Sequence, residues 1–232
     1  MKILGIESAA LVASVAIVDE DVTIAEYTTN FKKTHSETLL PMLHEIINMI
    51  GLSLHDIDAI AVSGGPGSFT GLRIGAASAK GLGLALDLPL IHVPTLDAMA
   101  LNIYSTNSII VPIMDARREQ VYTGIYKNGI NFEIIKPSMA VGIDELVMEI
   151  EKMKGTEHIV FLGDGVPVFK DYINENLRIS HSFAPANLNR QRAANIAILG
   201  LEMFKKGEII SADDMRPEYL RKSQAERERI CR

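Results

Sequence analysis

Residues 64–75 read Gly-Gly-Pro-Gly-Ser-Phe-Thr-Gly-Leu-Arg-Ile-Gly and separate an apolar run (57–63) from a run of small residues (76–86). Glycine permits backbone angles that other residues resist, and proline fixes one angle and removes a hydrogen-bond donor. The pattern predicts a strand that ends in a tight loop and leads directly into a helix. Such a junction can direct backbone N–H groups towards an anion, although this chemistry is common to many proteins.

The runs around this loop predict an α/β protein. Three β-rich runs come first, followed by alternating helices and strands; the ranges are 2–8, 11–19, 21–29, 35–51, 57–63, 72–86, 90–93 and 95–104. A second β-rich start follows, with runs at 109–115, 120–127, 131–136, 144–154, 158–163 and 188–206. The repeated start predicts two pseudo-duplicated lobes, each with a mixed sheet covered by helices. Their predicted limits are 1–105 and 106–232, and the second is predicted to be a shortened lobe followed by a polar tail.

The composition excludes several classes of protein. The chain has 232 residues, 47% of them hydrophobic, and a net charge of −6, which gives no whole-molecule attraction to nucleic acid. The single cysteine, Cys231, has no internal disulfide partner. No run reaches the roughly 20 apolar residues that a membrane span needs. We therefore expect an unprocessed cytoplasmic protein without membrane contact.

The helix predicted over 35–51 carries apolar residues on roughly half of its circumference, whereas an ordinary surface helix buries a stripe of about 100°. Two explanations are open. The helix is wedged deeply into its own core, or part of its apolar arc contacts another chain. The candidate contacts on this helix are Leu39, Leu43 and Ile46.

The helix that follows the glycine-rich loop has only two charged side chains, Arg73 and Lys80, on one narrow stripe. Its other residues are small or aliphatic, and a glycine inside a helix costs about 1 kcal/mol relative to alanine. The interior glycines therefore indicate close packing, either within the fold or against a partner. The candidate partner contacts here are Arg73, Ala76, Lys80 and Gly83.

The loop, its flanks from 34 to 98, and the segment Asp-Ala-Arg-Arg-Glu-Gln-Val-Tyr at 115–122 resemble the TsaB (YeaZ) family. The order of strands and helices resembles the actin-like ATPase (ASKHA, ribonuclease H-like) fold, in which the cleft between two lobes holds a nucleotide. The likeness covers nearly the whole chain and is loose beyond about residue 140.

The resemblance implies a non-catalytic subunit in tRNA threonylcarbamoyladenosine (t6A) biosynthesis. Such a subunit binds and activates the transferase TsaD and helps recruit the ATPase TsaE, and it meets tRNA through the complex. TsaD transfers a threonylcarbamoyl group to N6 of the adenosine next to the anticodon in tRNAs that read ANN codons. The resemblance also implies that the two apolar helices bundle with the equivalent pair of the partner, and that the chain forms a homodimer when alone. It implies no cofactor on this chain alone, with ATP and Mg²⁺ used by the partner complex.

The tetrapeptide at 7–10, Glu-Ser-Ala-Ala, lies where an actin-like fold places its first phosphate hairpin. Such hairpins usually carry Asp followed by Gly, Ser or Thr, and the two alanines supply neither a glycine nor a second hydroxyl. Nucleotide binding by this lobe alone is therefore not favoured. The candidate remnants of a phosphate site are Glu7, Ser8, Gly65 and Gly67. Residues 162–165, Leu-Gly-Asp-Gly, form either a similar remnant in the second lobe or a strand-to-helix turn.

Two further patterns contain residue types found in catalytic sites. Residues 35–37, His-Ser-Glu, could not converge on one atom if helical, and Thr34 with Glu37 fits a helix-capping box instead. TsaD presents two histidines four residues apart, a spacing that places both on one metal, and the matching positions here are Thr95 and Met99. We therefore predict no catalytic residue and no metal site.

Two charged segments have alternative explanations. The segment at 115–122 also fits a solvated hairpin tip, whose ion pairs would each contribute less than about 1 kcal/mol. The tail beyond 215 carries more basic than acidic residues. It fits either a contact with tRNA phosphates or a disordered charged end.

Two other functions are alternatives to a docking subunit. The first is an active enzyme, either an actin-like ATPase or kinase or a glycoprotease-type metallopeptidase. The missing histidines disfavour the peptidase, and the sequence at 7–10 disfavours the kinase. The second is a freestanding tRNA-binding module, which the acidic net charge disfavours.

Overall fold

Two five-stranded mixed sheets form the framework of the computed structural model, which describes residues 1–153, 155 and 158–221. The strands of the first sheet are β1 (Ile3–Glu7), β2 (Ala13–Val18), β3 (Thr23–Thr29), β4 (Ala59–Gly65) and β5 (Leu90–Pro94). Those of the second are β6 (Ile109–Asp115), β7 (Gln120–Asn128), β8 (Phe132–Gly142), β9 (Ile159–Leu162) and β10 (His181–Phe183). The helices are α1 (His35–Ile50), α2 (Phe69–Leu86), α3 (Thr95–Ala100), α4 (Ile143–Glu151), α5 (Val166–Asn176) and α6 (Ala193–Lys205).

The two sheets share one topology. The strand order is β3-β2-β1-β4-β5 in the first sheet and β8-β7-β6-β9-β10 in the second. In each sheet the first three strands form an antiparallel meander, and the last two strands extend the sheet in parallel. This repetition confirms the predicted α/β class with mixed sheets covered by helices.

Strands β1, β2, β4 and β5 of the first sheet are covered on both faces, which explains their nearly continuous apolar sequences, whereas the edge strand β3 is partly exposed. Alternate residues of β1 point in opposite directions: Leu4 and Ile6 pack with α1 and α2, whereas Ile3 packs with α6. A Cβ atom on Gly5 would lie 2.3 Å from the Ala193 carbonyl oxygen, so a glycine at this position lets α6 approach the sheet closely.

The last helix of each half of the chain packs on the sheet of the other half. Helix α6 follows the second sheet in sequence but packs on β1, β2 and β4, while α3 packs on β6 and β7. Each half of the chain therefore contributes a helix to the sheet of the other half. The lobe limits of 1–105 and 106–232 stay a prediction.

Several predicted elements differ in extent. The helix predicted to 104 ends at Ala100, the helix predicted over 188–206 begins at Ala193, and α5 and β10 were not predicted. Helix α5 has only three buried residues, Val166, Phe169 and Ile173, and β10 has only three residues in all. A strand of three residues gives a weak sequence signal, whereas the spacing 166, 169 and 173 is helical and could have identified α5.

The predicted capping box at the start of α1 is wrong. Thr34 is the N-cap residue, but its side chain makes no capping hydrogen bond. The backbone N–H of Glu37 donates to the Thr34 carbonyl at 3.0 Å instead. His35 is buried, and its Nε2 lies 2.9 Å from the Ala10 carbonyl oxygen, so this side chain joins the start of α1 to the β1–β2 turn.

Among the residues that the structure describes, no helix is both long and apolar enough to cross a membrane. The end of the chain, with Lys222, Arg227, Arg229, Arg232 and Cys231, lies outside the described residues.

Candidate functional site

The turn between β1 and β2 is hydrogen-bonded to the glycine-rich loop. The Ser8 hydroxyl donates to the Gly71 carbonyl at 3.0 Å, and the Ser68 N–H donates to the Ala9 carbonyl at 2.7 Å. The Glu7 carboxyl accepts a hydrogen bond from the Ala9 N–H at 2.6 Å. The backbone N–H of Ser68, at the start of α2, is therefore already bonded within the protein.

The glycines of this junction allow the β1–β2 turn to pack against it. A Cβ atom on Gly67 would lie 2.4 Å from the Ala9 carbonyl oxygen, and one on Gly71 would lie 2.1 Å from the Ser8 carbonyl oxygen. Both distances are well below van der Waals contact. Packing within the chain thus accounts for Gly67, which the sequence assigned to a remnant of a phosphate site.

Two carboxyl groups lie near the cleft, Glu7 fully buried and Asp164 partly buried. Burial raises the pKa of Glu7 from 4.5 to about 7, although hydrogen bonds from Ala9 and Ser63 counteract part of the effect. Burial also raises the pKa of Asp164, against a hydrogen bond from the Gln191 side-chain amide at 3.2 Å. A buried carboxyl group is costly to ionise. Burial therefore makes both carboxyl groups harder to ionise than they would be in water.

A cleft of about 670 Å³ lies between the lobes. It is bordered by the β1–β2 turn, the glycine-rich loop and the β6–β7 turn, with Ala10, Phe69, Asp115, Tyr122 and Asp164 among its lining residues. Within the described part of the chain, no three His, Cys, Asp or Glu side chains lie close enough together to hold a metal ion. Thr95 and Met99 on α3 are both buried, and His92 Nε2 lies 3.1 Å from the Gly64 carbonyl oxygen.

The β6–β7 turn at the rim of the cleft has an unusual backbone. Residues 117–119 have φ angles of 64°, 57° and 58°, in the left-handed region that residues other than glycine rarely occupy. The Asp115 carboxylate stabilises the turn by accepting the Arg117 N–H at 2.8 Å and pairing with its guanidinium at 3.0 Å. Arg118 and Glu119 are exposed, as expected for a solvated hairpin tip.

On α1, the three predicted partner contacts lie in the protein's own core. Leu39, Leu43 and Ile46 are 2%, 4% and 5% exposed and pack with β2 and β4. Their prediction as partner contacts is corrected, because burial against the first sheet leaves no surface for another chain. The deep-core explanation holds for this stripe of the helix.

The side of α1 next to α2 carries partly exposed apolar residues. Thr38, Met42 and Glu45 line a groove with Tyr27, so this side of α1 faces β3. At about 100° per residue, Leu40 lies on the opposite side. Leu40 is 49% exposed, and Ile47, on the same side, is half-buried.

On α2, all four predicted contacts are used within the chain. Ala76 and Gly83 are buried, and a Cβ atom on Gly83 would lie 2.9 Å from a Leu90 methyl carbon. The prediction that Ala76 and Gly83 contact a partner is corrected, because both are buried within the chain itself. Arg73 and Lys80 make hydrogen bonds to the C-terminal segment, through Arg73 Nε to the Tyr219 hydroxyl at 3.1 Å and Lys80 Nζ to a backbone carbonyl at 3.3 Å.

The outward side of α2 is nevertheless open. Ala77, Gly81 and Leu84 are exposed there, Leu84 to 63%. A Cβ atom on Gly81 would have no atom of its surroundings within 4 Å. We call the surface formed by Leu40, Ile47, Ala77, Gly81 and Leu84 the α1–α2 face.

Sequence reasoning missed the C-terminal strap, which we define as residues 209–221. The tail was predicted to be polar and either to contact tRNA phosphates or to form a disordered charged end. Met215 is instead buried in the core of the first lobe, and Tyr219 stacks on Phe69. The useful signal was the pair of large apolar or aromatic residues, Met215 and Tyr219, among the charges of the tail.

Comparison with known proteins places the chain among relatives. The family model for TsaD, tRNA N6-adenosine threonylcarbamoyltransferase, matches residues 23–229. The chain is 36% identical over 228 residues to the tRNA threonylcarbamoyladenosine biosynthesis protein TsaB of Bacillus subtilis, covering 97% of this chain and 96% of the relative.

Solved structures show the same fold. The YeaZ structure from Pseudomonas aeruginosa superposes with a TM-score of 0.78 at 24% identity, covering 94% of this chain and 99% of that one. The inorganic polyphosphate/ATP-glucomannokinase of Arthrobacter sp. strain KM superposes with a TM-score of 0.50 at 11% identity, covering 88% and 99%. At these identities the likeness concerns the fold alone, and it agrees with the actin-like architecture expected from the order of elements.

Proposed function

Since this chain belongs to the TsaB (YeaZ) family, we propose that it takes part in tRNA threonylcarbamoyladenosine biosynthesis as a non-catalytic subunit that binds a TsaD homologue. The α1–α2 face is its docking surface. Through this contact the chain holds TsaD in an active state and helps to recruit TsaE, and it meets tRNA only in the complex. ATP and Mg²⁺ serve the partner complex.

Gly81 is the observation that carries this proposal. The chain's own packing accounts for Gly67, Gly71 and Gly83, because a Cβ atom at each would approach another part of the protein within 3 Å. Gly81 has no such neighbour, yet it costs the helix about 1 kcal/mol relative to alanine. A second chain that approaches α2 closely gives this glycine a function.

Other residues of the α1–α2 face support an apolar contact. Leu40 and Leu84 are 49% and 63% exposed, and Ala77 lies one helical turn before Gly81. Helices with small residues at the contact pack with closely spaced axes, and large residues beside them supply the buried apolar area. The same face would allow two copies of the chain to pair when TsaD is absent.

The inter-lobe cleft supports a role without chemistry of its own. The β1–β2 turn packs on the loop that would hold a phosphate, and the buried Glu7 replaces the aspartate of an active site of this fold. Ala9 and Ala10 offer no side-chain donor. These features favour a docking subunit over an ATPase or kinase.

The test is binding of the purified chain to a TsaD homologue from the same source, measured by isothermal titration calorimetry. Gly81→Leu places a large side chain in open space, so the isolated variant should fold at least as stably as the native chain. We expect it to bind TsaD at least about 30-fold more weakly, the loss typical of an interface hot spot.

Glu175→Leu provides the matched control, because it places the same side chain at an exposed position of α5 in the second lobe. This variant should bind like the native chain. Undiminished binding by Gly81→Leu would remove the α1–α2 face from the proposal. No binding by the native chain would overturn the partnership itself.

A further inference from the structure

The C-terminal strap is an ordered part of the first lobe. Ile210 forms two backbone hydrogen bonds with Leu90 of β5, at 2.9 and 2.8 Å, and so extends the edge of the first sheet. Ala212 and Met215 are buried in the core formed by α1, α2 and the sheet. The strap therefore runs from the β5 edge along α2.

Further along, the strap contacts the start of α2. The Tyr219 ring stacks on the Phe69 ring with 3.9 Å between centroids and 4° between planes. Arg73 donates from Nε to the Tyr219 hydroxyl at 3.1 Å, and its guanidinium lies 5.1 Å from the Phe69 ring centroid and 5.8 Å from that of Tyr219. Stacking and cation–π contacts thus attach the strap to the exposed end of the helix.

The strap also shapes the glycine-rich loop. The Glu218 N–H donates to the Gly64 carbonyl at 2.7 Å. Gly65 has a φ of 124°, and a Cβ atom there would lie 2.4 Å from the Glu218 carbonyl oxygen. The positive φ and the contact with the strap both require glycine at this position.

Two residues after Tyr219, the strap reaches the second lobe. The Arg221 guanidinium donates to the carbonyl oxygen of Ala116 and, at 3.4 Å, to that of Arg117. Both carbonyls belong to the β6–β7 turn, the segment with three consecutive left-handed residues at the rim of the cleft. One short stretch of chain therefore joins α2 of the first lobe to the rim of the second.

We propose that the C-terminal strap couples the α1–α2 face to the rim of the inter-lobe cleft. Arg73 lies one helical turn from Ala77 of the face and holds Tyr219, while Arg221 holds the β6–β7 turn. A change at the exposed end of α2 therefore reaches the second lobe through three consecutive residues, Tyr219, Leu220 and Arg221. The claim that a bound partner drives this change rests on the proposed function, whereas the mechanical link is a property of the isolated chain.

Hydrogen exchange of the isolated chain tests the link. The readout is the pair of amides within the β6–β7 turn, Ala116 N–H, bonded to the Gln120 carbonyl at 2.9 Å, and Gln120 N–H, bonded to the Arg117 carbonyl at 3.3 Å. Arg221→Ala removes the charged donor to this turn, and we expect both amides to exchange about tenfold faster.

Tyr219→Ala is the decisive variant, because Tyr219 stacks on the first lobe and its effect on the turn must pass through the strap. We expect the turn amides to exchange faster here too, together with the Glu218 amide. Tyr219→Phe keeps the stack and should restore most of the protection. Tyr104→Ala alters an exposed tyrosine elsewhere and should leave the turn unchanged.

Unchanged turn amides in both Arg221→Ala and Tyr219→Ala would overturn the proposal. So would a Tyr219→Ala variant in which the Glu218 amide is released while the turn keeps its protection. A circular dichroism spectrum and a melting temperature close to those of the native chain establish that each variant is folded.

Adding the TsaD homologue separates the two proposals. We expect bound TsaD to change exchange at the β6–β7 turn in the native chain and to lose this effect in Tyr219→Ala, even where the variant still binds. Binding without any effect on the turn in the native chain would overturn the coupling. Absence of binding would overturn the proposed function and leave the mechanical link to be decided by the isolated chain.

Discussion

The inter-lobe cleft and the α1–α2 face differ in how the chain uses its small residues. Beside the cleft, Gly67 and Gly71 are in contact with the chain's own backbone, so their lack of a side chain is fully used in folding. On the α1–α2 face, Gly81 has open space around it and lies one helical turn before the exposed Leu84. The chain therefore packs against the glycines beside the cleft, but it leaves the α1–α2 face uncovered.

This difference indicates where a partner is needed. A glycine that contacts its own protein is explained by stability, whereas a glycine in open space on a helix lowers stability and needs another explanation. The buried Glu7 fits the same account, because it lies in a region arranged for packing between the β1–β2 turn and the glycine-rich loop.

The largest expected effect comes from exchanging the two kinds of glycine for alanine. Gly71→Ala would place Cβ 2.1 Å from the Ser8 carbonyl oxygen, and we expect it to lower the free energy of unfolding by about 3 kcal/mol or more. Gly81→Ala should raise it by about 0.5–1 kcal/mol, because alanine is the better helix former and meets no atom. Urea unfolding measures both values. Similar effects at the two positions would contradict the comparison.

Glu7 gives a prediction about pH. Its pKa lies near 4.5 when exposed and at about 7 in the fold, so the folded protein holds a proton that the unfolded chain has lost. The contribution of this proton to the free energy of unfolding is fully present below pH 4.5, and it is lost as the pH rises through about 7.

The slope between these values should be about 1.4 kcal/mol per pH unit, or about 3 kcal/mol in total. Glu7→Gln mimics the protonated carboxyl group and should remove this contribution from the slope. Urea unfolding at a series of pH values provides the measurement. Asp164 and Asp97, whose pKa values burial also raises, leave a residual slope of the same sign. An unaltered slope in Glu7→Gln would show that the group is not held neutral by the fold.

A smaller effect is expected on self-association. If the α1–α2 face pairs with a second copy when TsaD is absent, Leu84→Asp should weaken the homodimer by about 2 kcal/mol, because an exposed apolar anchor becomes a charge. Its free energy of unfolding as a monomer should change by less than about 0.5 kcal/mol. Sedimentation equilibrium measures the dimer, and Ile130→Asp at the β7–β8 hairpin tip is the control. Equal dimerisation of the native chain and both variants would place self-association on another surface.

The smallest expected effect is at the cleft. With ATP and Mg²⁺, the isolated chain should show no hydrolysis or phosphoryl transfer above the background of a Ser68→Ala variant, which alters the cap of α2 beside the cleft. Turnover that disappears in Ser68→Ala would support the rival of an active ATPase or kinase. It would also show that the cleft is a working site.

The fold was largely predictable from the sequence because its elements carry strong periodic signals. The meanders and the junction of β4 with α2 follow from apolar runs that end at turn residues, and the repeated topology follows from their order. Strand β10 could not be found this way, because its three residues are too few to show a period. Helix α5 does carry Val166, Phe169 and Ile173 at helical spacing, a signal that was overlooked.

The candidate site was predictable in its elements but not in its residues. Periodicity identifies α1 and α2 as unusually apolar but does not show which arc the first sheet covers, so Leu39, Leu43 and Ile46 were assigned to the wrong side. Gly83 was misassigned because Leu90 of β5 packs against it, and the sequence did not indicate that Lys80 would bond to the C-terminal strap. The bond between Lys80 and the strap joins residues that are distant in sequence, so a local sequence pattern does not predict it.

The account is tested most directly by t6A formation in a reconstituted reaction that contains TsaD, TsaE, tRNA and this chain. It predicts that Leu84→Asp on the α1–α2 face abolishes stimulation of the reaction, while Asp164→Asn in the cleft supports it like the native chain. Full stimulation by Leu84→Asp together with loss in Asp164→Asn would contradict it, because the cleft and not the face would then carry the function.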